Sequence, residues 1–428
     1  MLFTLPCPPS RRRDIWPDLT THRLSPAELR PTHLLEMKLQ GNSAAEIIAG
    51  NEDLVSEILL LLPARSLLRF KCVSKRWLAI ISGPHFSRRH ARLHARPRVS
   101  GVVLRRTPSE HQFLPLGGGD PLSGCPFECL DFVPDPAGLK ILQSCGGLLL
   151  CCSFRKIGCQ RNYYVFNPTT RRFATLPQLG GASSCATTVY GVSLAFDPSE
   201  SSHYDVVCVR STVESAYHYQ IEIYSSRDRG WRLSGSPFDA PFDMVFDNGV
   251  FWNGGVHWIS PTGASLCFDV KKEQFGRMPR LPISENRGCR RFRYFGESRG
   301  HLHFFEIYGS RTAQFKIFEL EKDYSGWFVK YHVELDSIVS AFPEVVRDYM
   351  DPGYMNYYAF VMLHLVREEN DEESSLLVHL PGKILTYNVG DKTFRKLYEI
   401  PADQSKGYGS LQYGWLDAYE FIETLALV

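Results

Sequence analysis

Between Asn51 and Ile81 the apolar residues recur at helical spacing. Leu54, Val55, Ile58, Leu59 and Leu62 return every three or four positions, Asn51 stands where it can cap the helix, and Glu52 and Asp53 occupy the first turn, where the helix dipole favours negative charge. Pro63 ends this helix. A second helical stretch carries Leu67, Leu68, Phe70 and Val73, and Ser74 can cap a third that holds Trp77, Leu78 and Ile81 before Gly83 and Pro84 stop it. The pattern therefore predicts a helical unit over 47–90. Its apolar positions exceed a single stripe: Leu67 and Phe70 lie on one side of their helix, Leu68 and Cys72 on another. A bundle this short has too little interior to bury both sides, so part of that surface must meet a partner.

From about Pro97 onward the period changes from helix to strand. Aromatic-rich runs such as Tyr163–Phe166, Ile221–Tyr224, Leu266–Val270 and Phe315–Phe318 alternate with polar residues and are broken by Gly, Pro, Asn and Asp. One unit recurs five times: a strand, a polar turn, an aromatic residue, and in most copies a closing proline. With Phe173, Trp231, Phe275, Trp327 and Phe394 as markers, the spacings are 58, 44, 52 and 67 residues, scattered about the roughly 40–50 of a propeller blade. The fold class read from these patterns is multidomain, α then all-β: a short helical unit followed by a β-propeller over 97–428. Gly101–Leu104 is expected beside the last strand, near Ile422–Val428, closing the ring. The charged run Arg367–Ser375 falls in the longest gap and reads as a solvated loop inserted between strands.

Residues 1–46 show little apolar periodicity and hold several prolines and arginines, so they are expected to be disordered. Met37 is an alternative start, and Arg11–Arg13 is too short a basic run to assign a role. Across all 428 residues, 48 Lys and Arg against 46 Asp and Glu leave a net charge of +2, which supplies no general attraction to nucleic acid or acidic membranes. No apolar run reaches the ~18 residues of a membrane span. Twelve cysteines spread over a long chain read as reduced thiols, consistent with a cytoplasmic or nuclear protein.

The sequence offers little chemistry. It lacks a Gly-x-Ser-x-Gly elbow, a Gly-x-Gly-x-x-Gly loop, a Walker-type Gly-Lys-Ser/Thr and a His-Glu-x-x-His pair. Cys151–Cys152 and Cys125/Cys129 have no second ligand pair and read as buried free thiols. His301 and His303 share a strand face without an identifiable third ligand. An oxidase- or lectin-like propeller would need a ligand set that is not visible. Arg287, Arg290, Arg291, Arg293 and Arg299, interleaved with Phe292, Tyr294 and Phe295, form the densest cationic cluster. In a chain without basic excess this reads as a protein-contact rim before a nucleic-acid site, which makes Arg290, Arg291 and Arg293 candidate substrate-binding residues. No metal or other cofactor is expected.

The run Asn51-Glu52-Asp53-Leu54-Val55-Ser56-Glu57-Ile58-Leu59, then Leu62-Pro63-Ala64-Arg65-Ser66-Leu67-Leu68-Arg69-Phe70-Lys71-Cys72-Val73-Ser74-Lys75-Arg76-Trp77, resembles the F-box. The β units, with Gly249–Trp258 and the terminal Tyr419–Leu425, resemble the F-box-associated region of a large plant family. The resemblance implies a kelch-like propeller that recruits a protein target and a helical unit that docks on a Skp-type adaptor, and through it on the cullin and RING subunits of a ubiquitin ligase. It also implies a non-catalytic receptor. Carried over position by position, the adaptor-facing candidates are Leu54, Ile58, Leu59, Leu62, Pro63, Leu67, Leu68, Val73 and Trp77. Ala49 and Gly50 stand where the family opens with Leu-Pro, which removes an apolar contact and a helix-starting proline. The alternative is a propeller that binds proteins outside any ligase.

Overall fold

Capping sets the register of the helical head. Asn51 Oδ1 accepts the backbone N–H groups of Asp53 and Leu54 at 3.0 and 3.2 Å and starts α1 (Glu52–Leu60); α2 (Ala64–Phe70) follows Pro63. Ser74 Oγ accepts the Trp77 N–H at 3.1 Å and starts α3 (Lys75–Ser82). The sequence pattern ends at Pro84, yet Pro84 opens a further helix, α4 (Pro84–Leu93). A proline in the first turn removes only an N–H that has no partner within the helix, so it starts helices as readily as it stops them. In the computed structural model, residues 48, 50–94, 98–107, 110–117, 130, 132, 133, 135, 138–154, 161–179, 187–212, 218–283, 288–401 and 411–428 are described. The expectation for 1–46 and the Cys125/Cys129 pair lie outside them.

The β region opens with β1 (Gly101–Arg105) and β2 (His111–Pro115). Four-stranded antiparallel sheets follow in sequence order. The first is β3 (Leu139–Cys145), β4 (Leu148–Ser153), β5 (Tyr163–Asn167) and β6 (Arg172–Thr175); the second is β7 (Val189–Ala195), β8 (Asp205–Ser211), β9 (Tyr219–Ser225) and β10 (Gly230–Phe238). The third is β11 (Val250–Trp252), β12 (Gly255–Ile259), β13 (Ser265–Asp269) and β14 (Gln274–Gly276). The fourth is β15 (Arg290–Ser298), β16 (His301–Tyr308), β17 (Gln314–Leu320) and β18 (Trp327–Glu334). The fifth is β19 (Val361–Val366), β20 (Ser375–Leu380), β21 (Lys383–Asn388) and β22 (Phe394–Glu399). The chain then returns as β23 (Ala418–Phe421) to pair with β1, Gly101 opposite Phe421 and Leu104 opposite Ala418. The closing strand is thus a few residues earlier than the sequence reading placed it.

The first strand of each sheet touches that of the next, from β3 through β7, β11, β15 and β19 to β23 and back to β3, which makes a closed six-bladed propeller. Its sixth blade, β23-β1-β2, is composite and carries no copy of the repeated unit. Each blade presents an apolar face that only its neighbour covers: Leu150, Val165, Leu194 and Val206 form one such layer, and Ile317, Val333, Leu376 and Leu385 another.

The recurring unit is the hairpin joining the third and outer strands of a blade. Each of the five copies has a residue in the left-handed region ahead of the outer strand, with φ between 54° and 62°: Arg171, Arg229, Glu273 and Lys392 two residues before the aromatic marker, and Tyr324 three before it. In three of them an Asn or Asp side chain opens the turn by accepting a backbone N–H two or three residues on, as Asn167 does from Thr169 and Thr170, Asp269 from Lys272, and Asn388 from Gly390 and Asp391. The aromatic marker and the proline also connect between blades. Trp231 Nε1 donates to the carbonyl of Pro177 at 2.8 Å, and Trp327 Nε1 donates to that of Pro279 at 3.4 Å, each reaching back to the segment that leaves the preceding blade.

The longest marker spacing has a different origin from the one expected. The connection between β18 and β19 holds a short helix, α5 (Asp336–Ala341), and a 3₁₀ turn at Pro343–Val345, and this supplies the extra length. The Arg367–Ser375 run is only partly solvated. Arg367 is buried, pairs with Glu319 of β17 and bonds Asp371 at 2.9 Å, which ties the fourth blade to the fifth. Cys151 and Cys152 are buried free thiols.

Candidate functional site

Helix α1 is apolar on two sides, and the fold uses them differently. Val55, Leu59 and Leu60 point into the head core with Ala64, Leu67, Ile81 and Phe86. Leu54, Ile58 and Leu61, at positions i, i+4 and i+7, lie along the opposite side with 44%, 50% and 69% of their surface exposed. Val73 at 59%, in the turn after α2, and Leu78 at 45%, in α3, are exposed apolar residues as well. Phe70 and Trp77 pack edge to face at 5.5 Å and are half-buried, as are Leu62 and Leu68.

Of the nine residues singled out in the sequence, the structure therefore leaves Leu54, Ile58, Pro63 and Val73 exposed and Leu62, Leu68 and Trp77 half-buried. It puts Leu59 and Leu67 inside, at 1% and 0% exposure. These two hold the head together and present nothing to a partner, because their faces of α1 and α2 turn toward each other. Leu61 and Leu78 were not singled out. The signal for Leu61 was present in the sequence, one turn beyond Ile58 on the stripe that begins at Leu54.

The head is fastened to the propeller by the last residues of the chain. After β23, Asn167 Nδ2 donates to the carbonyls of Thr424 and Ala426, at 3.3 and 2.8 Å, and Thr424 N–H donates to Thr169 Oγ1 at 3.1 Å. This holds the tail on the first blade. Leu425 then enters the head core, and Glu423 pairs with Arg65 of α2 at 2.7 Å. Arg92 of α4 donates to the carbonyl of Ser199, in the β7–β8 turn, at 2.9 Å. Within the head, His90 and His94 link α4 to the carbonyls of Leu62 and Leu60 at 2.9 and 3.1 Å; burial holds His90 below the ordinary imidazole value.

The head thus sits on the side of the ring that carries the turns between the first and second strands of the blades. The opposite side bears the connections from one blade to the next, with Phe242, Tyr349 and Tyr354 among its most exposed apolar residues.

The arginine cluster serves contacts within the fold. Arg290 and Arg293 both bond Glu306 Oε1 and the carbonyl of Pro261, which joins β15 to the β12–β13 turn of the preceding blade. Arg291 donates to the carbonyls of Ser310 and Thr312, and its guanidinium lies 4.3 Å from the Phe360 ring centre; burial pushes it down to about 10. Arg299 pairs with Glu368 and Glu369. His301 and His303 converge on Glu319, at 2.6 and 3.5 Å. Burial opposes charge on Glu319, but the hydrogen bonds from both histidines outweigh it and hold the carboxyl well below its usual range.

Comparison with known proteins places these features. Residues 51–89 match the F-box domain family, and residues 131–299 match the F-box associated beta propeller domain family. The chain is 34% identical to F-box protein At5g07610 of Arabidopsis thaliana over 408 residues, 90% of this chain and 94% of that protein. It is 25% identical to F-box protein At5g49610 of the same plant over 398 residues, covering 87% and 96% of the two chains. F-box/kelch-repeat protein At3g23880 of Arabidopsis thaliana is also 25% identical, over 262 residues, 55% of this chain and 66% of that one.

Proposed function

This chain belongs to the F-box proteins that carry an F-box-associated β-propeller, and we propose that it is the substrate receptor of a Skp–cullin–F-box ubiquitin ligase. The observation that carries the reading is the outer stripe of α1, Leu54, Ile58 and Leu61, together with the exposed Val73 and Leu78: apolar surface on a head whose core is already filled by other residues. F-box domains bind Skp1-type adaptors, and this stripe is the surface we assign to that contact. Pro63, Leu62, Leu68 and Trp77 border it, while Leu59 and Leu67 support it from within.

The propeller supplies the target-binding part. With the head against one side of the ring, the open side with Phe242, Tyr349 and Tyr354 is the face offered to a protein target. The chain's contribution is proximity: a target held beside the charged enzyme presents its lysines at high local concentration, while the acid–base and thiol chemistry belongs to other subunits. Among the described residues no helix is long and apolar enough to cross a membrane.

Co-expression of the full chain with a Skp-type adaptor tests the reading. A stoichiometric complex that recruits a cullin–RING pair supports it, and failure to form a complex with any Skp-type adaptor overturns it. Point variants suit this test better than excision of the head, because excision strips the cover from Leu425.

A further inference from the structure

The first strands of the blades enclose a central channel, and part of it is a cavity of about 140 Å³ whose wall includes Asp247, Tyr294, Glu297, His364 and Glu420. A second chamber of about 170 Å³ opens beneath α4, bounded by His90, His94, Trp252, Arg299 and the tail after β23. The two share Cys145, Phe251, Glu297 and Glu420. Two carboxylates therefore stand where channel and chamber meet.

Among the described residues no lysine or arginine pairs with Glu297 or Glu420, and Arg299, the guanidinium in the chamber wall, is engaged by Glu368 and Glu369. Glu297 Oε1 accepts the Gly300 N–H. Glu420 is 6% exposed, and its Oε2 has no hydrogen-bond partner. His364, 8% exposed, has its Nδ1 at 3.3 Å from the Tyr294 hydroxyl; its Nε2 lies 3.5 Å from Glu420 Oε2 without bonding to it. Buried polar atoms facing a cavity with no partner are costly, and the cost is removed by a guest that brings N–H donors and positive charge.

We propose that this junction is a binding site for a small primary ammonium compound, its nitrogen between Glu297 and Glu420 and its carbon skeleton against Phe251 and Trp252 beneath the head. An ammonium group offers N–H donors on a compact charge, which suits two carboxylates on different strands, Glu297 on β15 and Glu420 on β23. Among the described residues no set of three His, Cys, Asp or Glu side chains is grouped to hold a metal ion, so an organic cation fits where a metal does not. The adjoining aromatic wall favours an alkyl or aryl amine over bare ammonium. Burial, with the neighbouring Glu420 adding to it, pushes the Glu297 carboxyl up to about 8, so the pair keeps a proton at neutral pH that an entering cation would release.

The test uses the full chain and n-butylammonium chloride as probe, followed by thermal unfolding and titration calorimetry at pH 7.5. Sodium chloride at matched ionic strength and 1-butanol are the controls. The expected result is a saturable rise in Tm with butylammonium alone, and an affinity at least tenfold weaker in Glu420→Gln and in Glu297→Gln. Butylammonium indistinguishable from sodium chloride in the unmodified chain overturns the proposal, as does an undiminished response in a folded Glu297→Gln variant. Glu420 lies in the closing strand; if Glu420→Gln fails to fold, the unmodified chain and Glu297→Gln decide the matter. Adaptor binding is not part of the readout, so the outcome is independent of the ligase assignment.

Discussion

Replacing Ile58 and Val73 by serine should separate adaptor binding from folding. Ile58 has half its surface in solvent and Val73 somewhat more, so each substitution leaves the fully buried core of the head intact. In an adaptor complex that surface is covered. Half of an isoleucine side chain is roughly 80 Å², and at ~25 cal/mol per Å² its loss weakens the complex by about 2 kcal/mol, with a similar or slightly smaller amount for Val73. About 2 kcal/mol corresponds to roughly a thirtyfold rise in Kd, and the double variant should lose several hundredfold or more if the sites act independently. Surface plasmon resonance on an immobilised Skp-type adaptor reads the affinity. Denaturant unfolding should show each single variant folded, with a loss of no more than about 2 kcal/mol from the part of the side chain that the head itself covers. Leu59→Ala and Leu67→Ala are the contrast: both residues are fully buried, and each should cost about 2–5 kcal/mol of head stability. An aspartate at either place would break the head and report nothing about docking. If the Ile58/Val73 double variant binds the adaptor as the parent does, the outer stripe is not the docking face.

Other consequences are equally direct. Leu425→Ala should loosen the head on the propeller, costing about 2–4 kcal/mol locally and raising amide exchange in α1 and α2, whereas Arg65→Ala should cost no more than about 1 kcal/mol because that ion pair is partly solvated. Gly147 has φ +83°, and a Cβ there would come within 2.7 Å of the Ile422 carbonyl, so Gly147→Ala should destabilise the tail by more than about 1 kcal/mol, read as a lowered Tm. Acidification should weaken the propeller well before its carboxylates protonate. Burial holds His257, His303 and His379 at about 4, below the ordinary value of 6.5. Unfolding lets them take up protons between those values, so their contribution is fully present above pH 6.5 and is lost as pH falls toward 4, by up to roughly 3 kcal/mol each. Glu297, raised to about 8, acts in the opposite sense: its protonated form favours the fold below pH 4.5, and that contribution is lost as pH rises through 8. Three imidazoles against one carboxyl leave a net loss on acidification, to be checked by urea unfolding at pH 7 and pH 5.

Much of the architecture was legible because periodicity records which way side chains point. The change from helical to strand period after the head, the five hairpins and their aromatic markers all reappear as built, and the shared φ > 0 residue gives the backbone reason for the repeat. What the markers hid was the sixth blade, which has no copy of the marked hairpin because its inner strand β23 and its β1–β2 hairpin come from opposite ends of the β region. The arginine cluster shows a related limit of spacing: it places guanidiniums close together, but not Glu306 and the Pro261 carbonyl, which hold two of them.

From its order of residues alone, the chain determined a helical head richer in apolar side chains than its interior can hold, followed by a ring of repeated sheets. Which leucines turn inward was decided only in three dimensions. Both sides of α1 carry the same chemistry, and the choice depends on α2, α3, α4 and Leu425 closing over one of them. The fastening of head to propeller and the meeting of Glu297 with Glu420 are likewise tertiary facts. Each joins residues more than a hundred positions apart, and local propensity holds no record of contacts formed only when the ring closes.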